Sequence, residues 1–177
     1  YSFYLSLGIH PRFANMIFKA NDLGFAYEAC LLAALLLEND IFKNIFSSSD
    51  IYERFIILKE KEFNSQFINI YKTKQILLQC SYIFKKLQKI VKINKKNKEL
   101  EKEMLAVLLL FAYPNRLARL REKNDNKYKL SNEKGAILNA RDTLFNTEYL
   151  VVPNLNAKEL NSHIIYACPI NLEYISE

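Results

Sequence analysis

The stretch AYPNRLARLREKNDNKYKLSNEKGAIL, residues 112–138, is where the chain changes its period, and the change decides the fold class. Before it, apolar residues recur in steps of three and four; after it, they alternate. Tyr113-Pro114 stops a helix, because proline offers no N–H and pushes its predecessor out of the helical region. Glu122 to Lys127 is a polar loop of mixed charge. Tyr128-Lys129-Leu130 alternates, Asn132-Glu133-Lys134-Gly135 is turn-like, and Ala136-Ile137-Leu138 resumes. That is a hairpin signal, with Gly135 the expected positive-φ position. Tyr149-Leu150-Val151-Val152 and Ile164-Ile165-Tyr166-Ala167 read as further strands.

Upstream the pattern is helical. Pro11, after His10, suits a first helical turn, and His10 reads as a cap or packing residue. Phe13, Met16, Ile17 and Ala20 follow at helical spacing, and Gly24 falls where a helix ends. Ala26 to Leu37 is apolar all round, which predicts a buried helix. After the loop Ser47-Ser48-Ser49, Asp50 with Glu53 predicts an N-cap for a helix from Ile51 to about Lys59. A long helix is expected from about Phe63 to Ile93, its stripe being Phe63, Phe67, Ile70, Leu77, Cys80, Phe84, Leu87 and Val91. Another helix precedes Tyr113, through Met104, Val107, Leu108 and Phe111. The expected class is α+β, with a helical domain over 1–112 and a small β domain over 113–177.

Composition limits the function. Half of the 177 residues are apolar and a quarter charged, enough for a sizeable core. The run Ala29–Leu37 is far short of the ~20 residues a membrane helix needs, so no membrane partner is expected. Cys30, Cys80 and Cys168 form no C-x-x-C pair, and two histidines are too few and too far apart to complete a zinc site. Reduced, packed cysteines and a cytoplasmic location are the expectation. Tyr1 opens inside an apolar pattern (Tyr1, Phe3, Leu5, Leu7), which reads as a piece of a larger chain. No phosphate loop, nucleophile elbow or H-E-x-x-H occurs, and His163 reads as an exposed residue before a strand. No catalysis is expected from this chain alone, and no cofactor.

The net charge of +6 and pI near 9.1 allow an anionic partner. Lys85, Lys86, Lys89, Lys92, Lys95, Lys96 and Lys98 form a run that reads either as a phosphate-contacting edge or as a solvated helix face. Arg116, Arg119 and Arg121 stand out in a chain that otherwise prefers lysine, since arginine grips phosphate with a planar fork. Their alternative role is internal pairing with Asp125, Asp142 or Glu148. Tyr128, Tyr149 and Tyr166 could stack on bases, but at strand positions aromatics are expected in the core. The candidate nucleic-acid-binding set is Arg116, Arg119, Arg121, Lys129, Lys134 and Arg12.

Several segments, in order along nearly the whole chain, resemble the HrpB family of bacterial DEAH/RHA helicases. Leu7-Gly8-Ile9-His10-Pro11-Arg12-Phe13-Ala14-Asn15-Met16-Ile17 resembles its L-x-L-H-P-R-L-A-R-M-L stretch. Ala26 to Asp40 resembles the helix that follows it. Ala112-Tyr113-Pro114-Asn115-Arg116-Leu117-Ala118-Arg119 resembles A-Y-P-D-R-I-A-R, and Tyr128 to Ala136 resembles R-Y-x-L-A-N-G-R-G-A. Glu148-Tyr149-Leu150-Val151-Val152 resembles E-W-L-V-V, and Ile165-Tyr166-Ala167-Cys168-Pro169-Ile170 the closing A-A-P-I strand. Asn15, Asn115, Leu120 and Tyr149 depart from the family residues Arg, Asp, Arg and Trp. Two cations are thereby missing, so individual RNA contacts do not carry over at those positions.

The resemblance implies an architecture. Tyr1 to about Gly8 would be the tail of a winged-helix module. A helicase-associated ratchet-like bundle would follow, then a small OB-like barrel. It also implies a role: a C-terminal fragment that helps hold single-stranded nucleic acid, RNA by expectation, against ATPase lobes lying upstream. ATP and Mg²⁺ would act in those lobes, in a parent helicase that hydrolyses nucleoside triphosphates. The competing expectation is a module that braces the helicase core or recruits a partner protein.

Overall fold

The computed structural model describes residues 5–43, 48–156 and 162–174. Tyr1, Phe3 and Ser47, used above, lie outside these. The chain forms two compact units, one from Tyr1–Ile45 with Glu53–Leu100, the other from Phe46–Tyr52 with Glu101–Glu177.

The first unit is helical. Helix α1 spans Pro11–Leu23 with Pro11 in its first turn, and His10 Nδ1 accepts from the Arg12 N–H at 3.1 Å. One of the orphan N–H groups of the helix start is thereby satisfied. It ends at Gly24, φ 92°, whose N–H donates to the carbonyls of Ala20 and Asn21. Helix α2, Ala26–Leu37, is buried from Ala29 through Leu35, as its unbroken apolar run predicts. Helix α3, Ile51–Glu60, is capped by Asp50, whose Oδ1 accepts from the Tyr52 N–H at 3.0 Å. From Glu53 onward it belongs to this unit.

Helix α4 differs from the sequence expectation. It runs Ile70–Ile90, not from Phe63 to Ile93. The residues before it are extended: Phe42 bridges Ile68, the Lys43 N–H donates to Phe67 O and the Asn69 N–H to Ile41 O, both at 2.7 Å. Those backbone groups are committed to a neighbouring segment and cannot join a helix. Asn69 caps the start, accepting from the Lys72 N–H. The buried face is Thr73, Ile76, Cys80, Ile83 and Leu87, which shares only Cys80 and Leu87 with the expected stripe. Thr73 hides the true register from an apolar count. Its Oγ1 donates to Ile70 O at 2.6 Å, so a satisfied hydroxyl packs as an aliphatic group.

The second unit is a closed five-stranded barrel with one helix, α5, at Lys102–Ala112. Its strands are β1 (Leu117–Leu120), β2 (Lys127–Leu130), β3 (Gly135–Ile137), β4 (Tyr149–Asn156) and β5 (Ser162–Pro169). They close in the order β1-β2-β3-β5-β4; β3 and β5 pair in parallel and the other neighbours antiparallel. The α+β class and the OB-like barrel expected from the sequence are both present. Ala118, Tyr128, Leu130, Ala136, Leu150, Val152 and Ala167 fill the interior. Helix α5, which the sequence division at 112/113 puts with the helices, packs on β4 and β5. Residues 48–50 also join the barrel: Asp50 bridges Ala167, whose N–H donates to Ser49 O at 2.9 Å.

Two local expectations are corrected. The positive φ of the β2–β3 turn is at Glu133, φ 71°, and not at Gly135, which opens β3. The Glu133 N–H donates to Leu130 O and the Leu130 N–H to Lys134 O, so the left-handed residue falls two positions earlier. His163 lies within β5, exposed, rather than before it. Pro153 sits inside β4, a strand paired on both sides, and is tolerated because the register shifts between Val151 and Asn154.

Candidate nucleic-acid interface

Period-two alternation sets the outer face of the barrel. On β1, Ala118 points into the core and Arg119 out; on β2, Tyr128 and Leu130 point in while Lys127 and Lys129 are exposed. The register then aligns a row. Arg119 pairs with Lys129 of β2 on one side and with Tyr149 of β4 on the other. The Arg121 N–H donates to Lys127 O, which carries the basic surface one step further along the same two strands. Arg119, Arg121, Lys129 and Tyr149 line one groove of about 620 Å³, with Leu117, Leu120, Leu130 and Ser131 between them and Glu122 at its edge.

Two features of this groove favour an anion. Like charges directly opposite on neighbouring strands repel, and Arg119 faces Lys129. No ion pair is seen on Arg119 or Arg121 among the described residues. Lys129 is partly compensated by Glu133, Nζ to Oε2 2.5 Å, but both groups are solvent-exposed and well screened. The Arg119 guanidinium lies over the Tyr149 ring, 5.9 Å from its centre, which brings a cation and an aromatic ring together in the groove. The loop beyond Arg121 is anchored: the Asn124 N–H donates to Asn146 Oδ1 at 2.7 Å, and Asn146 Nδ2 donates to Asn124 Oδ1 at 2.8 Å.

The six sequence candidates separate. Arg119, Arg121 and Lys129 come together in the groove. Arg116 is half-buried and turns to the backbone of β4. Its Nη1 donates to Val152 O at 3.3 Å and Pro153 O at 3.5 Å, and its guanidinium lies 5.7 Å from the Tyr113 ring. Lys134 is exposed in the β2–β3 turn and does not line the groove. Arg12 belongs to the helical unit, exposed at the start of α1. Two of the three acids weighed as internal partners serve the backbone: Asp142 accepts from the N–H groups of Ser49 and Leu144, and Asp125 from that of Asn126.

Tyr128 and Tyr166 are in the core, as expected; Tyr149 is not, and the sequence reading missed it. The Tyr128 hydroxyl donates to Thr147 O, and burial pushes its pKa up to about 12. Alternation could have exposed Tyr149, but Leu150, Val151 and Val152 are all buried, which erases the two-residue signal. The reason is α5, which packs on the outer side of β4 and β5.

The remaining chemistry is quiet. All three cysteines are buried, and burial pushes the Cys80 thiol up to about 12 and the Cys168 thiol well above its ordinary value. Among the described residues no group of His, Cys, Asp and Glu could hold a metal ion, and no helix is long and apolar enough to cross a membrane.

No family model matches the chain. Over 68 residues, 38% of this chain, it is 37% identical to the ATP-dependent RNA helicase HrpB of Escherichia coli strain K12. Two solved structures are similar throughout. The crystal structure of E. coli DExH-box NTPase HrpB superposes with a TM-score of 0.66 at 24% identity and covers 97% of this chain. That of Escherichia coli DEAH/RHA helicase HrpB does so with a TM-score of 0.69 at 26% identity over 95%. The chain spans 18% of the length of each solved relative, and the matched stretch is 8% of the curated one. In sequence over the matched stretch, and in fold over nearly its whole length, this chain is similar to part of HrpB.

Proposed function

We propose that this chain is the accessory C-terminal region of an ATP-dependent helicase and that its barrel holds single-stranded nucleic acid, RNA in the first instance, against the ATPase lobes. The observation that carries the reading is the row Lys129–Arg119–Tyr149 across three strands, with Arg121 beside it, in one groove. Strand-holding barrels combine a basic groove for the backbone with an aromatic face for a base, and this groove has both. Hydrolysis of nucleoside triphosphates, with ATP and Mg²⁺, belongs in this proposal to the parent protein, in the cytoplasm.

The test is fluorescence anisotropy of a labelled single-stranded RNA at a series of salt concentrations, with the chain and its Arg119→Ala, Arg121→Ala double variant. Each lost phosphate contact lowers the log–log salt slope by about 0.7 on a single strand, so the double variant should lose about 1.4. Unchanged slope and affinity would refute the groove.

A second reading, a docking module for the helicase core or another protein, has its own observation. On α4, Tyr71, Leu78 and Tyr82 are exposed large apolar residues at helical spacing. Such a stripe fits a partner surface. It lies in the helical unit.

A further inference from the structure

Tyr149 lines two grooves of the barrel unit. One is the basic groove just described. The other, of about 430 Å³, is lined by Glu103, Thr147, Glu148, Tyr149 and Asn171, with the apolar Pro169, Ile170 and Leu172. Charge is therefore divided unevenly between the two grooves that share this ring: Arg119, Arg121 and Lys129 against the single Glu122 in one, Glu103 and Glu148 with no cation in the other. A phosphate is attracted to the first groove and repelled from the second. A nucleotide stacked on Tyr149 is thereby oriented, its backbone toward the arginines and its neutral base edge toward the carboxylates.

Resting on the proposed strand-holding function, we infer that Tyr149, Glu148 and Glu103 form a base-reading subsite that prefers nucleobases bearing an exocyclic amino group. Ionised carboxylates only accept hydrogen bonds. Cytosine presents an N4 amino donor to them, whereas uracil presents a carbonyl oxygen at the same place and meets repulsion. Glu148 is exposed and sits next to Tyr149 in the chain; Glu103 is half-buried in the first turn of α5. Asn171 and Thr147 add polar atoms; the Asn171 side-chain oxygen already accepts from the Glu173 N–H, and the Thr147 backbone carbonyl from the Tyr128 hydroxyl. The acids carry the discrimination.

The experiment compares labelled oligocytidylate and oligouridylate of equal length, which differ at that ring position and at the adjacent N3, an acceptor in cytosine and an N–H donor in uracil, titrated by anisotropy with the 177-residue chain. The expected result is about fivefold tighter binding of oligocytidylate, the low end for one amino–carboxylate contact because the site is open to water. Glu148→Ala should bring the two affinities together, by weakening oligocytidylate or strengthening oligouridylate. Its circular dichroism should be unchanged, because among the described residues the bond seen on Glu148 is that of its backbone carbonyl, which accepts from the Leu120 N–H. Equal binding of both oligomers by the unaltered chain overturns the inference and leaves the strand-holding reading standing. A preference that survives both Glu148→Ala and Glu103→Ala overturns it as well. Binding of neither oligomer at low salt overturns the parent reading and the inference with it.

Discussion

Arginine does three different jobs here, and the difference is local geometry. Arg54 is the buried one, with 3% of its side chain exposed; its Nε and Nη2 reach the two Asp40 oxygens at 2.9 Å each, and its guanidinium lies 4.7 Å from the Phe42 ring centre. Arg116 braces β4 through backbone carbonyls. Arg119 stands on the outer face. Arg54→Ala should destabilise the chain by about 2 kcal/mol in urea unfolding. That is below the usual cost of breaking a buried pair, since the Asp40 left behind is 36% exposed. Arg119→Ala should stay within about 0.5 kcal/mol, as surface changes do. The sequence could single out arginines 116, 119 and 121 as a cluster, because their type stood out. It could not divide them, because an offset of three or five residues does not say which carbonyls a half-buried guanidinium will meet. Arg54 escaped notice altogether: its partner lies fourteen positions back, and no periodicity links the two.

At the scale of elements, starts and stops were legible wherever one residue type forces the backbone. Pro11, Gly24, Asp50 and Tyr113-Pro114 all mark the boundaries they signalled. Gly24→Ala tests one of them. An alanine at φ 92° is strained, and its Cβ would lie 2.8 Å from Lys96 Cγ. The lysine chain can move aside; the backbone strain cannot be relieved. A loss of about 1–2 kcal/mol is expected, read as a lower thermal midpoint. A midpoint equal to that of the unaltered chain would show the cap to be dispensable. Boundaries set by distant partners were not legible. Helix α4 begins seven residues late because 67–69 pair with 41–43, and β1 was unnamed because Leu117-Ala118-Arg119-Leu120 is too short to show alternation. In the β2–β3 turn a glutamate holds the left-handed position that glycine was expected to take.

For the molecule as a whole, the fold class was readable from one change of period, and the likeness to HrpB structures agrees with it. The net charge of +6 was a poorer guide. Most of the lysine run from Lys85 to Lys98 is simply exposed on and after α4. What distinguishes the candidate site is placement: two strands and the start of a third set two cations, a third beside them and an aromatic ring in one groove. The central claim is that this groove is where a strand lies. The direct measurement is a map of backbone amide NMR shifts in the ¹⁵N-labelled chain as a short single-stranded RNA is added. The perturbed residues are expected to gather at Arg119, Arg121, Lys129 and Tyr149. Perturbations gathered instead along Tyr71, Leu78 and Tyr82 of α4, or spread without a focus, would contradict it.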